Sequence, residues 1–181
     1  MREATINLSE IYNHKIFYDF NREYDDDYHG VIGMGISDPR YKFNSKKCKF
    51  EGVEFYLNGE DAARDNLICQ GQHIDLEKAG YSKVFILGFN ELGNYSDKLL
   101  FLNKDYEISG EDRLFLNGFN QIVEGLYESE LDNRCNIADS FLANDYIVVN
   151  IYISEIVMPD DTTVIVLPNN PEMHILAISV M

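Results

Sequence analysis

Tryptophan is absent from this chain, so the strongest aromatic surface for stacking a sugar ring is missing. Basic residues are scarce, 15 against 31 acidic ones, giving a formal net charge of -16. A surface of that sign repels nucleic-acid phosphates and anionic lipid headgroups, and neither is expected as a partner. Only three cysteines occur, Cys48, Cys69 and Cys135. An odd number at wide spacing makes neither a disulfide framework nor a zinc pattern. Free, reduced thiols are expected, with Cys69 buried in an apolar strand. No apolar run approaches the roughly 20 residues of a membrane-spanning helix. Met1 is followed by Arg2 and Glu3 rather than by an apolar leader. The expected location is therefore cytoplasmic, or secreted if a leader has been trimmed. No Gly-x-Ser-x-Gly elbow and no phosphate-binding glycine loop appear, and the chain is read as not an enzyme. Helices of ordinary length are also missing, since no apolar spacing of three and four residues persists.

What is present is alternation. Val53, Phe55 and Leu57 share one face and Glu54 and Tyr56 the other, which reads as a half-buried strand closed by the turn Asn58-Gly59. Residues 84–87 are apolar on both faces, so that strand is expected to be central and covered on both sides. Residues 146–156 form the longest expected strand, with Ile147, Val149, Ile151 and Ile153 facing one way and Tyr146, Asn150, Tyr152 and Ser154 the other. Shorter strands are expected within 5–13, 16–20, 99–102, 113–116, 162–167 and 173–180. Residues 103–110 read as turn-rich, and a short helix is expected over 138–143. The core prediction names Val53, Phe55, Leu57, Val84, Ile86, Ile147, Val149, Ile151 and Ile178. At 181 residues, without a repeat or linker, the chain is read as a single all-β domain. Its expected form is a two-sheet antiparallel sandwich with jelly-roll-like connections.

The organising stretch is residues 65–76, which opens polar, runs apolar, breaks at Gln70-Gly71-Gln72 and resumes with Ile74 and Leu76. A glycine inside a strand pattern marks a bulge or a close backbone approach. The expectation is a kinked central strand pair, with Gln70 and Gln72 buried and hydrogen-bonded to backbone.

The runs Asp65-Asn66-Leu67-Ile68-Cys69-Gln70-Gly71-Gln72-His73-Ile74, Val84-Phe85-Ile86-Leu87-Gly88 and Leu167-Pro168-Asn169-Asn170-Pro171-Glu172-Met173-His174-Ile175-Leu176-Ala177-Ile178 resemble, in that order, a β-sandwich accessory module of bacterial glycosidases. Such modules accompany α-fucosidase-like and mannosidase-like enzymes and are similar to galactose-binding-domain-like jelly rolls. Tyr12-Asn13-His14-Lys15-Ile16 resembles their aromatic-asparagine start. The chain departs from the pattern at Asn103-Lys104-Asp105, where an Asp-Gly hairpin is common, and at Phe119, where a Trp is common. The resemblance implies a non-catalytic carbohydrate-binding function, with a glycan as partner, and a structural calcium; a single shallow aromatic platform would make the affinity weak.

The residues themselves offer two sites. Sugar recognition takes an aromatic face and a few polar groups for hydroxyls. Tyr24, Tyr28, Tyr41 and Tyr95 supply the first, and Asp27, His29, Arg40 and Asn94 the second. Surface tyrosines ordinary for a β protein are the plainer reading of the same residues. Calcium takes several oxygen ligands, and Asp25 and Asp27 in the acidic run 24–30 are the candidates, against a merely solvated loop. His14, His29, His73 and His174 lie in separate segments, so no transition-metal pattern forms. His73 and His174 are read as strand histidines bonded to backbone. The alternative function is a structural or protein-interaction sandwich, with a protein partner or a homodimer and no sugar site.

Overall fold

A computed structural model describes residues 3–17, 46–59, 62–91, 93, 95–118, 135–143 and 147–181. Every element among them is a strand. The larger sheet has the order β1 (Ala4–Ile6), β12 (Met173–Val180), β6 (Lys83–Asn90), β10 (Ile147–Val157) and β9 (Cys135–Ala143), with the short β4 (Leu67–Ile68) also pairing with β12. The second sheet has the order β5 (His73–Asp75), β11 (Val164–Val166), β7 (Tyr95–Leu102) and β8 (Ile108–Leu116). A separate ribbon joins β2 (Lys46–Phe50) to β3 (Val53–Leu57). All these pairings are antiparallel. β8 packs on β6 and β10, which closes the two sheets over a shared core. The expected all-β sandwich is therefore the observed fold, with the β2–β3 ribbon as an addition to its two sheets.

The alternation in β3 is realised directly, Val53, Phe55 and Leu57 being buried and Glu54 and Tyr56 half-buried. β6 lies between β12 and β10, and its residues 84–90 are all buried, as a run apolar on both faces requires. β12 is buried along its whole length. The ribbon covers part of it, and Ser179 Oγ donates to the Glu54 carbonyl. Of the predicted core, Val53, Phe55, Leu57, Val84, Ile86, Ile151 and Ile178 are buried. The side chains of Ile147 and Val149 lie outside the described residues.

Several expectations are corrected. Residues 138–143 are not helical but belong to β9, held in register against β10. The turn in 103–110 ends sooner than expected, and β8 begins at Ile108. In β10, Tyr152 and Ser154 are as buried as Ile151 and Ile153, so this strand is covered on both faces there. The kink at 70–72 is real but is not a bulge in a central strand. β4 and β5 belong to different sheets and pair with β12 and β11 respectively, so the two connections 69–72 and 167–172 pass between the sheets side by side. Cys69 N donates to Met173 O, Gly71 N to Pro168 O and Leu167 N to Gln72 O, each at 2.9 Å. Gly71 adopts a positive φ of 74°, which a side chain disfavours. Gln70 is exposed and Gln72 half-buried, contrary to the expected burial. Gln72 still binds backbone at both ends of its amide. Nε2 donates to Ile68 O and Oε1 accepts from Gln70 N, both at 2.8 Å.

Candidate functional site

Two polar features stand out. The first is internal and begins at Asp65, a fully buried carboxylate. It accepts from Ile16 N at 2.8 Å, from Phe17 N at 2.9 Å, from Asn66 Nδ2 at 2.9 Å and from Lys15 Nζ at 2.9 Å. Burial pushes the Asp65 carboxyl above its usual range, against the opposing pull of Lys15 and of these donors. Asn66 Nδ2 donates to Asp65 and also lies 3.2 Å from His14 Nδ1, so its Oδ1 is left to face His174 Nδ1 at 2.9 Å. His174 Nε2 lies 2.8 Å from Glu91 Oε1. The ring stacks on Phe89 at a centroid distance of 4.9 Å and meets the edge of His14 at 5.3 Å. His174 is thus a buried strand histidine, but its partners are side chains rather than the expected backbone. Both partners are acceptors, so satisfying the two together takes the charged ring, which burial disfavours. Burial is the larger effect and holds its pKa below the ordinary value, with Glu91 opposing. His73, by contrast, is exposed on β5.

This network fastens residues 12–17 to the sandwich. Tyr12 donates its hydroxyl to Leu176 O at 2.6 Å. Burial raises the Tyr12 pKa, and Asp65 and then Tyr56 add to the effect. Asn13 clamps Ile68, accepting from its N at 2.8 Å and donating to its O at 3.1 Å. Lys15 also donates to the carbonyls of Gly59 and Ala62. Of the run 12–15, Tyr12 thus bonds to β12 and Asn13 to β4, while His14 and Lys15 bond to the polar residues around Asp65 and Asn66.

The second feature is at the surface. A cleft of about 340 Å³ is lined by Thr5, Asn7, Ser9 and Tyr56. Thr5 lies in β1, Asn7 follows the strand, and Ser9 lies in the turn over residues 9–11. Tyr56 comes from β3, which packs against β1 and β12. Two side chains hold β3 there by its Glu54 peptide groups, the N–H by the Glu3 carboxylate and the carbonyl by Ser179. Within the cleft, Asn7 Oδ1 accepts from Ser9 N at 3.0 Å. Among the described residues the lining carries no charge. It offers two hydroxyls, an amide, a phenol and one aromatic ring.

The sequence did not point to this cleft, because Thr5, Asn7 and Ser9 are individually commonplace and Tyr56 is 51 residues away in the chain. Of the predicted ligand residues, Tyr24, Asp27, Tyr28, His29, Arg40, Tyr41 and Asn94 lie outside the described residues, as does Asp25 of the predicted calcium pair. The backbone of Tyr95 opens β7 opposite Leu116, and its side chain is outside the description. Among the described residues, no group of three or more His, Cys, Asp or Glu is placed to hold a metal ion.

Comparison with known protein families matches residues 12–181 to the AziU2-like beta-sandwich domain. No curated protein matches the chain.

Proposed function

We propose, from the premise that this chain belongs to the AziU2-like beta-sandwich domain family, that it is a non-catalytic module binding a neutral, hydroxyl-rich ligand of the glycan class. The observation that carries this reading is the cleft between β1 and Tyr56. Hydroxyls and amides both donate and accept, which suits sugar hydroxyls, and a tyrosine face suits the C–H side of a pyranose ring. The described lining residues are uncharged, and on a chain of net charge -16 this favours a neutral ligand over an anionic one. The resemblance read from the sequence, to accessory modules of glycosidases, would fit the same class of ligand. Affinity is weak, because one aromatic and three short polar side chains contribute only a few kcal/mol beyond the ordering costs.

The test is a glycan array with and without calcium, followed by calorimetry on the best ligands. We expect dissociation constants in the millimolar range, about -4 kcal/mol. Tyr56→Ala should weaken binding about tenfold, equivalent to roughly 1.4 kcal/mol. Binding that is untouched by Tyr56→Ala and by Asn7→Ala moves the site away from this cleft. No binding to any glycan removes the proposed function.

A second reading is favoured by one observation. Tyr106 and Ile108 are each 64% exposed at the β7–β8 hairpin, where an apolar contact with a protein partner or a second copy would cover them. Under this reading light scattering reports a dimer that a Tyr106→Ser, Ile108→Ser variant dissociates. Under the first it reports a monomer for both.

A further inference from the structure

The ligand cleft leaves one group unexplained, the buried His174. We propose that the Asn66–His174–Glu91 chain is an acid-sensitive latch that fastens residues 12–17 onto β12. The argument starts from geometry. His174 is fully buried between Phe89 and His14, with Asn66 at one ring nitrogen and Glu91 at the other. Its cover on one side is His14, part of the segment 12–17 that Asp65 and Asn13 hold down. While the segment is seated, the ring is dry and resists a proton. When the segment lifts, water reaches the ring, which then takes a proton near the ordinary histidine value of about 6.5. Protons therefore bind the open form more tightly than the closed one, and acid shifts the balance toward opening.

The charged and titratable groups around the ring, among the described residues, set the size of this effect. Glu91, which follows β6 and is 23% exposed, favours the proton in the closed form and so moderates the latch. Asp65, reached through Asn66, acts in the same sense on the ring, and His14 acts against a charge there. Lys15 sits beyond Asp65 and neutralises it. Asp65 has its own contribution of opposite sign. Its carboxyl is raised in the closed form, so its protonation favours closure as the pH falls.

Amide hydrogen exchange, corrected for its intrinsic pH dependence, tests the latch. The reporters are Ile16 and Phe17, whose N–H groups are held by Asp65, and Ile68, held by Asn13. Between pH 7.5 and 5.5 the three should lose protection by up to about tenfold, the limit for one proton taken up over a unit below the open-form value. Amides of the β7–β8 ladder should keep theirs. A His174→Gln variant, in which that ring cannot titrate, should show reduced protection at the three sites that no longer falls with acid and carries only the opposite-signed Asp65 contribution. Subtracting it from the wild type removes the Asp65 contribution. Unchanged wild-type protection, an equal loss across the β7–β8 ladder, or the same pH dependence in His174→Gln would each overturn the proposal. If that variant does not fold, nuclear magnetic resonance titration of His174 in the wild type decides instead. A ring that titrates at or above 6.5 in the native protein overturns the latch.

Discussion

Asp65 shows how much one side chain can organise. Its two oxygens accept four donors from residues far apart in the chain or adjacent to it, and removing it leaves Lys15 and two backbone N–H groups without that partner. Asp65→Ala is expected to cost about 3–5 kcal/mol, measured by urea unfolding monitored by circular dichroism. Tyr12→Phe deletes only the hydroxyl that satisfies Leu176 O, and the orphaned carbonyl should cost about 1–2 kcal/mol. Gln72→Leu removes both hydrogen bonds of its amide at the corner. The expected loss is about 1–3 kcal/mol, and an unchanged midpoint would mean water replaces both bonds. At Cys69, burial pushes the thiol up to about 12, with Asp97 adding to it. Its thiolate is therefore suppressed, and it should resist alkylation in the native protein while the half-buried Cys48 reacts.

At the scale of elements, the informative contact is β6 against β12. The register between them shifts from Ile175 to Ala177, which leaves Leu176 out of the ladder. Tyr12 takes up the carbonyl that this bulge frees. Opposite the bulge, a Cβ added at Gly88 would lie 2.2 Å from the His174 carbonyl oxygen. Gly88→Ala forces backbone movement in the two most buried strands and should destabilise by about 1–3 kcal/mol, read as a lowered unfolding midpoint. Some elements were plain from pattern alone. Val53, Phe55 and Leu57 alternate with polar neighbours, and residues 84–87 are apolar throughout. β9 was not plain, since Asn136, Asp139 and Ser140 interrupt any apolar period. Its strand state is imposed by pairing with β10 over residues 147–154.

For the whole molecule, the net charge of -16 means that folding gathers like charges into a compact volume. The ion pairs among the described residues include Lys47–Glu54, Lys83–Glu155 and Lys98–Glu111, all exposed and each of small value. Screening should therefore help more by reducing repulsion than it harms by weakening pairs. Raising sodium chloride from about 10 to 200 mM should stabilise by about 1 kcal/mol, roughly 2–4 °C in melting temperature at this chain length. A fall in melting temperature would show that the exposed pairs outweigh the repulsion.

The sequence alone determined the class of fold, because strand alternation and buried apolar runs are local patterns with a period that geometry fixes. It also determined much of the core and the three-residue break at Gln70-Gly71-Gln72, although that break reads from the sequence as a bulge in a central strand. Tertiary structure decided where that break leads, from β4 in one sheet to β5 in the other. It decided the partners of His174 as well, because Asn66 lies 108 residues away and hydrogen bonding across such a distance leaves no mark in local sequence. The cleft has the same origin. Thr5, Asn7 and Ser9 meet Tyr56 only because Glu3 and Ser179 hold the backbone of β3 beside β1, and that is a consequence of packing rather than of any local pattern.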